Sequence, residues 1–560
     1  MTDIRYQYHY IKGLLSRYGF LGLFLKTLER RQSPMLNYAS CYRRYLPTKE
    51  EIAGQKKTPL SYAPLVSIVV PAYETPRVYL HQLMDSVQAQ SYPNWELCIA
   101  DGSKTDMVEQ AAAEYAKRDE RIRYIRLSGN GGISENTNGG LNAAKGSYIV
   151  LMDHDDLVTP NALYEMVKCL NEASDDGRKM ALIYSDEDKI NSDGTVYSRP
   201  HFKPDFNREF LRHNNYFCHL LMFSRTLLQA AGEFGKEYDG AQDYDFVLRC
   251  VDAGAVVRHV PKILYHWRIH EGSTAGNSGD KLYAFDSGCR AIEAHLKRCG
   301  QPGRVNVTES LGVYRVFYEL KGTYTITVVA EDSRQLRKIK KYYDRQHYPE
   351  KEYKLEIQFI QPETLTNVME SGSIGDYILY IRKKTRVKPK GLIEGLLGIC
   401  QQEKNGIAAA KLLTTNRRVD SCGLVYDSQG NMIPLCGGIY AGYKGYFLHA
   451  VIAKNVSAAA LHCAMIKRKA FCEAGGFDEE MSGIYRDADL CFRLEEAGYD
   501  IVVTPEVTAV CRQDGGKDCL PQARKRFLER WKQKLALPDP CYNRNLSLTP
   551  GHTYAMKEQR

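Results

Sequence analysis

Three carboxylates crowd the chain at Asp153, Asp155 and Asp156, directly after the apolar run Tyr148–Met152. A run of that length and β-type composition predicts a strand buried on both faces of an α/β sheet, with the acids at its end. Acids gathered there repel one another and lose solvation, so they need a counter-charge, and a divalent cation that prefers oxygen ligands supplies one. The chemistry that follows is metal-assisted handling of a diphosphate. A turn and helix cap explains the same acids, because Thr159-Pro160 reads as a helix start. The flanking chain has to decide between the two.

The elements that would position this cluster begin at Leu65. Val66–Val70 is a predicted strand ended by Pro71-Ala72-Tyr73-Glu74, with Thr75 as N-cap and Pro76 as first helical residue. Leu80, Leu83, Met84 and Val87 recur at helical spacing, Gln90-Ser91-Tyr92-Pro93 stops the helix, and Trp95–Ala100 is the next strand, ending in Asp101-Gly102-Ser103. Strand, helix and strand in that order imply a right-handed parallel βαβ unit. Ligands of such sheets sit at the carboxyl ends of the strands, where all three polar segments fall. A Gly/Asn loop, Asn130–Gly140, leads into a short helix that contains Asn138. Such a loop brings backbone close to a phosphate or sugar, although tight turns need glycine in any case.

The whole chain sets bounds on these readings. At 560 residues it should hold more than one domain. Its net charge of +9, with Lys and Arg spread rather than clustered, fits mild attraction to anionic substrates or a lipid surface and not nucleic-acid binding. Sixteen cysteines without a C-x-x-C pair read as reduced thiols of a cytoplasmic protein. No apolar run approaches the roughly 20 residues of a membrane span, which leaves a soluble or peripheral protein. Residues 10–31 combine leucines and phenylalanines with Lys12, Arg17, Lys26, Arg30 and Arg31. A basic interfacial helix on the inner face of an anionic membrane and a helix docked on the rest of the protein both account for them. Pro47–Pro64 reads as a linker.

The ordered set Val-Val-Pro-Ala-Tyr-Glu (69–74), Ala-Asp-Gly-Ser (100–103), the Asn-Gly-Gly-Ile-Ser loop (130–134), Leu-Met-Asp-His-Asp-Asp (151–156) and Gln-Asp-Tyr-Asp (242–245) resembles family 2 glycosyltransferases of GT-A fold over about residues 65–300. Tyr184–Lys189 and Tyr265–His270 are similar to the rhamnosyltransferase-like branch found in bacterial O-antigen and capsule assembly. The resemblance implies an enzyme that inverts the anomeric centre of a nucleotide-activated sugar. It puts Pro71, Ala72, Tyr73, Glu74 and Asp101 around the base and ribose, Asn138, Asp153 and Asp156 on the nucleotide sugar, and Mg²⁺ or Mn²⁺ on Asp155. Ala100, Glu74 and Thr137 depart from the residues common in the family. Asp243 is the implied general base, since an acceptor hydroxyl attacks well only when a carboxylate takes its proton; a helix N-cap is the alternative role. An imidazole after Ile263-Leu264-Tyr265 completes the metal sphere, with His266 preferred over His270, or else is a core histidine. Trp267 and Arg268 shape a sugar pocket or simply pack. Asp186-Glu187-Asp188 reads as a solvated turn.

The chain also repeats itself. Ile68–Glu74 matches Ile326–Asp332, Gln90–Pro93 matches Gln346–Pro349, Gly146–Ile149 matches Gly375–Ile378, and Gln242–Asp245 with Arg249 matches Arg486–Asp489 with Arg493. In the second copy Asp153, Asp155 and Asp156 become Arg382, Lys384 and Thr385, and Val510 falls at or near the place of His266. Cations in place of the acids cannot hold a divalent metal. The expected organisation is therefore an N-terminal helical segment and linker (1–64), a catalytic GT-A-like domain (65–300), a linker (301–319), a degenerate GT-A-like domain (320–535) and a tail (536–560), two α/β Rossmann-like mixed-sheet domains in tandem. The expected partners are a nucleotide-sugar donor, a lipid-linked or polymeric glycan acceptor, a peripheral membrane contact and no nucleic acid, with room for a homodimer. A non-catalytic glycan-binding or assembly subunit, and a bifunctional enzyme in which Arg382 and Lys384 grip the diphosphate, are the rival readings.

Overall fold

The computed structural model describes residues 38–270, 282–310, 312–346, 352–360, 374–512 and 521–557, so the segment 10–31 lies outside the described residues. The first four strands are β1 (Val66–Ala72), β2 (Trp95–Asp101), β3 (Ile122–Arg126) and β4 (Tyr148–Leu151). β1 and β2 are buried along their whole length. Burial on both faces requires a helical cover, and α1 (Arg77–Gln88) provides part of it through Leu80, Leu83, Met84 and Val87. β1 pairs in parallel with β2 and β4, with Ala72 opposite Asp101 and Val69 opposite Leu151. The three strand ends therefore lie side by side, as the βαβ argument requires.

The remaining strands are β5 (Leu157–Val158), β6 (Ala181–Asn191), β7 (Tyr197–His201), β8 (Leu221–Ser224) and β9 (Val256–Ile269). They complete a nine-stranded mixed sheet of order β3-β2-β1-β4-β8-β6-β9-β5, with β7 on β6. β8 runs antiparallel between β4 and β6, and β5 pairs antiparallel with β9 so that Leu157 faces His266. A second nine-stranded sheet follows the same path, with no equivalent of β3 among the described residues: Tyr353–Ile360, Gly322–Ala330, Tyr377–Ile381, Cys463–Lys467, Asn405–Thr414, Asp500–Cys511 and Thr385–Val387. Each parallel or antiparallel pairing is reproduced, and the register that sets Leu157 opposite His266 sets Arg386 opposite Val510. The mixed α/β class expected of GT-A-like units is thus realised twice.

Several local expectations need correction. The stretch 49–57 is a helix rather than linker, because Thr48 and Glu51 form a capping box: Glu51 N–H donates to Thr48 Oγ1 at 3.1 Å and Thr48 N–H to Glu51 at 2.7 Å. Thr75 does not cap α1; its hydroxyl is buried without a hydrogen-bond partner, and the cap position falls on Pro76. Residues 301–319 contain a hairpin, Gly303–Val307 against Tyr314–Tyr318. Asp186, Glu187 and Asp188 are not a solvated turn. They lie in β6 at 0, 2 and 0% exposure.

Buried carboxylates persist only when paired and hydrogen-bonded, and these three are. Asp186 accepts from Lys203 N–H (2.8 Å), contacts His259 Nε2 (2.9 Å) and accepts from Asn543 Nδ2 at both oxygens (3.0 and 2.9 Å), while the same Nδ2 also donates to the Lys203 carbonyl (2.8 Å). Glu187 meets Lys203 Nζ at 3.2 Å and Lys189 Nζ at 3.5 Å. Asp188 accepts from Tyr38 Oη at 2.6 Å and pairs with His266 Nδ1 at 2.5 Å. β6 thereby ties residues from both ends of the described chain to the first sheet.

The tail is part of this network. Asp205 N–H donates to the Pro540 carbonyl at 2.9 Å, while Asp539 accepts from Tyr426 N–H and Ser457 Oγ of the second half at 2.9 and 2.7 Å. Burial raises Asp539 to about 6, against the hydrogen bonds from Ser457 and the Tyr426 amide that favour its ionised form. A raised carboxyl pKa stabilises the fold fully below the ordinary value, and that contribution is lost as pH rises through about 6. In urea melts between pH 4 and 7, the stability of the wild type relative to Asp539→Asn should therefore fall by roughly 1.4 kcal/mol per pH unit between about 4 and 6. A pH-independent difference would contradict the assignment.

Candidate active site

The ends of β1, β2 and β4 form one crevice. Gly102 N–H donates to the Ala72 carbonyl at 3.1 Å and Met152 N–H to the Val69 carbonyl at 3.2 Å, which carries Tyr73, Glu74, Asp101–Ser103 and Asp153–Asp156 to the same edge. α2 (Ile133–Ala143) lies against this edge. A Cβ at Gly140 would come within 2.6 Å of Val69, so only glycine permits the close packing of helix on sheet. The Gly/Asn loop reaches the β2 end, since a Cβ at Gly102 would lie 3.1 Å from the Gly129 carbonyl oxygen and Asn130 Cα.

The residues expected at the base and ribose divide by exposure. Tyr73 is 39% exposed and Glu74 half-buried, whereas Pro71 and Ala72 are buried in β1. The side chains of Pro71 and Ala72 lie inside β1, which runs to Ala72, so of the four residues it is Tyr73 and Glu74 that reach the surface. Glu74 has φ 47° and folds onto the loop after β2, accepting from Thr105 Oγ1 (2.7 Å) and Lys104 N–H (2.8 Å). The Thr105 hydroxyl and then the Lys104 amide hold it below the usual carboxylate range. Asp101 is fully buried and accepts from Ser103 N–H (2.8 Å) and Tyr124 Oη (2.9 Å), with Arg126 at 3.4 Å. It organises the end of β2 instead of presenting a free acceptor. Asn138 is likewise committed, its amide donating to the Phe234 carbonyl (2.9 Å) and accepting from Phe234 N–H (3.0 Å).

The acidic turn is braced from β9. Asp153 N–H donates to Tyr265 Oη at 3.2 Å, Tyr265 Oη donates to Asp156 at 2.5 Å, and Arg268 N–H donates to the other Asp156 oxygen at 2.7 Å. Arg268 Nε caps the Asp155 carbonyl at 2.6 Å, and the guanidinium also reaches Ser192 O and Gln82, which settles Arg268 as a brace. Asp156 is at 0% exposure; burial, then the neighbouring Asp155 and Asp153, push its pKa far up. Its sequence-based role on the nucleotide sugar does not fit this inward position. Asp153 faces the opening, its side chain 46% exposed.

The imidazole beside Asp155 is His270 and not His266: His270 Nε2 lies 2.7 Å from Asp155 Oδ2. His266 is 4% exposed and turned to Asp188, because its place opposite Leu157 directs it into the β6 network. A second imidazole, His219, was not singled out from sequence. Its Nε2 is 3.6 Å from Asp153 Oδ2, and its ring stacks on Tyr265 at 4.6 Å and meets Trp267 edge-on at 5.5 Å. Burial lowers its pKa, opposed by Glu187 and Asp243.

Asp243 opens α3 (Gln242–Asp252), where the helix N-terminus favours an anion. Asn215 Nδ2 donates to Asp243 Oδ2 at 2.9 Å, which leaves Oδ1 of Asp243 without that partner; Asn215 Oδ1 is buried and has no hydrogen-bond partner. Burial raises the Asp243 pKa and the His219 charge draws it back. Asp245 instead pairs with Arg249 at 2.8 Å, as the four-residue spacing predicts. The crevice thus draws on a carboxylate at the end of β4, an imidazole and a half-buried carboxylate at a helix start, from three distant stretches of chain.

For a divalent cation the donor chemistry fits. The donors at the crevice are Asp153 with His219, 3.6 Å apart, and Asp155 with His270, 2.7 Å apart; Asp156 lies within 4.8 Å of Asp153 and His219 but has both oxygens engaged by Tyr265 and the Arg268 amide. A mixed carboxylate and imidazole set suits Mn²⁺ better than Mg²⁺, which prefers oxygen alone.

The second half answers this site with an ion pair. Arg382 follows the Tyr377–Ile381 strand at the place of Asp153, and its guanidinium binds Asp487 at 2.5 Å; Asp487 also accepts from Leu461 N–H at 2.9 Å. Burial pulls the Arg382 pKa down, but Asp487 more than offsets it and fixes the charged pair.

Fold and crevice define an α/β unit with acids at the carboxyl edge of a mixed sheet. Residues 67–232 match the model described as Glycosyl transferase family 2, and this part of the chain is a domain of that family. Among relatives, the chain is 31% identical over 563 aligned residues to the uncharacterized protein y4gI of Sinorhizobium fredii, covering 92% of this chain and 61% of that one. It is 25% identical over 553 residues to the O-antigen biosynthesis protein RfbC of Myxococcus xanthus, covering 90% and 42%. The chain spans about half the length of these two relatives. A crystal structure of S. aureus TarS 1-349 in complex with UDP-GlcNAc is 18% identical over 41% of this chain and 66% of that chain, with a TM-score of 0.34, a likeness too low to carry an argument.

Proposed function

We propose that the first sheet carries an inverting, metal-dependent glycosyltransferase site that moves a sugar from a nucleotide donor to a growing cell-surface glycan. The observation that carries the reading is the approach of Asp153 and His219 to 3.6 Å at the edge formed by β1, β2 and β4, with Asp243 near enough for its charge and that of His219 to act on each other. O-antigen assembly, named for the Myxococcus relative, supports a surface polysaccharide as acceptor. In this reading residues 65–300 are the catalytic unit and 320–535 a degenerate copy.

Asp243 takes the proton of the acceptor hydroxyl as that oxygen attacks the anomeric carbon from the face opposite the departing nucleoside diphosphate, which inverts the centre. Desolvation raises the pKa of this half-buried carboxylate and makes it a stronger base than a surface aspartate. Asn215 fixes the Asp243 side chain and offers its own unpaired oxygen to the acceptor. Tyr73 and the backbone of β1 receive the nucleoside. Asp155 and His270, with Asp153 at the opening, would hold Mn²⁺ or Mg²⁺, and a bound cation would offset charge on the diphosphate.

The Arg382–Asp487 pair weighs against two active sites, since the residue in the position of the base is already neutralised by the residue in the position of the first acid. No helix among the described residues is long and apolar enough to cross a membrane.

The metal assignment separates two histidines. His270→Ala should raise the Mn²⁺ concentration for half-maximal nucleoside diphosphate release by roughly tenfold or more, while His266→Ala should lower the melting temperature and leave the metal requirement unchanged. The reverse pattern would return the metal to His266.

A further inference from the structure

The second sheet bears a concentration of charge that the even spread expected from sequence does not anticipate. Residues 334–345 and 383–390 contain eleven Lys and Arg and one acid, Asp344, a surplus of +10 against +9 for the entire chain. The two stretches are in contact. Lys338 Nζ donates to the Val387 carbonyl at 3.1 Å, Val387 N–H to Gln335 at 3.4 Å, and Tyr343 Oη to the Pro389 carbonyl at 3.1 Å.

Both elements sort their residues the same way. α4 (Ser333–Tyr343) buries Ile339 and Tyr343 and exposes Arg334, Arg337, Lys338, Lys340 and Lys341, with Arg345 exposed just beyond it. The Thr385–Val387 strand buries Thr385 and Val387 and turns Arg386 outward, flanked by exposed Lys383, Lys384, Lys388 and Lys390. Helical and strand periodicities place the cations on one outer face. An ordinary solvated face mixes signs; a single-sign face repels itself and disfavours the compact state.

We propose that this face docks on an anionic lipid bilayer, at the level of the headgroups. Seven of the eleven cations are lysines, flexible point charges suited to a diffuse surface potential more than to the bidentate recognition at which arginine excels. Among the described residues, none of the large exposed apolar side chains lies on this face, and Tyr342 of the helix is half-buried, so no fully exposed aromatic is offered to bases or sugar rings and no exposed wedge to the acyl region. Association is therefore electrostatic, reversible and sensitive to salt. It does not depend on the chemistry assigned to the first sheet.

The test is flotation of the full chain with vesicles of phosphatidylcholine alone or with 30% phosphatidylglycerol, at low and high salt. The wild type should float only with the anionic vesicles and only at low salt. The reversal Lys340→Glu/Lys341→Glu/Lys388→Glu/Lys390→Glu should lower partitioning by at least roughly tenfold, and the corresponding four Gln substitutions should fall between. Reversing the exposed Lys56, Lys57, Lys117 and Lys168, an equal change of net charge elsewhere, should leave binding within about twofold. Sugar-nucleotide turnover in solution should not differ among these variants. Binding that survives the patch reversal would assign it to another part of the chain, such as residues 10–31, and would overturn the proposal. So would equal losses in both reversals, no flotation of the wild type, or retention on heparin or single-stranded DNA at salt that releases the vesicles.

Discussion

Asp243→Asn is expected to lower the rate of sugar transfer by roughly 10² to 10⁴-fold, the range supplied by a positioned general base. Donor affinity should change little, because the nucleoside is assigned to Tyr73 and the backbone of β1 and not to Asp243. The substitution is conservative in structure: asparagine keeps an oxygen for the 2.9 Å hydrogen bond from Asn215. If Asp243 were only an N-cap, its replacement by asparagine, itself a strong cap, would leave both rate and stability almost unchanged. Transfer assays paired with calorimetry of donor binding distinguish these outcomes. Near-wild-type transfer would remove Asp243 from the chemistry and reopen the second half, where Asp487 holds the corresponding position.

Asp186→Ala is expected to be the most damaging change outside the crevice. It removes the acceptor of Asn543, of the Lys203 amide and of His259 at once, all inside a buried strand. His259 is opposed by burial but held above its usual pKa by Asp186 and then Asp205, so the substitution leaves part of a buried charge uncompensated. Breaking such a pair costs about 3–5 kcal/mol, or roughly 10 °C in the melting transition. The tail should also loosen, which limited proteolysis beyond Ala536 would detect. A variant that melts with the wild type would show that the network around β6 adds nothing to stability.

What could be read from the residues alone follows the reach of local rules. A buried strand and the helix after it are legible because apolar runs and 3.6-residue spacing are local, so the edge formed by Tyr73, Asp101 and Asp153 could be placed beforehand. The repeat was legible for the same reason, and the common strand order of the two sheets agrees with it. His219 was not legible. It becomes part of the crevice only because β8 inserts antiparallel between β4 and β6, a crossover that no local pattern encodes. Asp186, Glu187 and Asp188 misled because burying three acids is costly in isolation, and the partners that make it tolerable come from Tyr38, Lys203, His259 and Asn543. His266 and His270 lie four residues apart, the same parity of a strand, so alternation alone does not choose between them; the pairing of His266 with Leu157 does. The capping box at Thr48 and Glu51 was present as a T-x-x-E signature, masked by the prolines around it.

The degenerate copy gives the site its internal comparison. Sheet, helix start and aspartate are retained at Asp487, yet the change of sign from Asp153 to Arg382 at the strand end makes that aspartate half of an ion pair. Asp153 with its 46% exposed side chain and Arg382 closed on Asp487 are two outcomes of one architecture.

The most direct test of the central claim is nucleoside diphosphate release by the purified chain, given UDP-, dTDP- and GDP-sugars with an acceptor glycan, in Mn²⁺ and in EDTA. The account predicts release from one donor class, lost in EDTA and in Asp155→Ala, and retained in Asp487→Asn. Release that persists in EDTA and in Asp155→Ala but disappears in Asp487→Asn would place the chemistry in the second sheet and contradict the account.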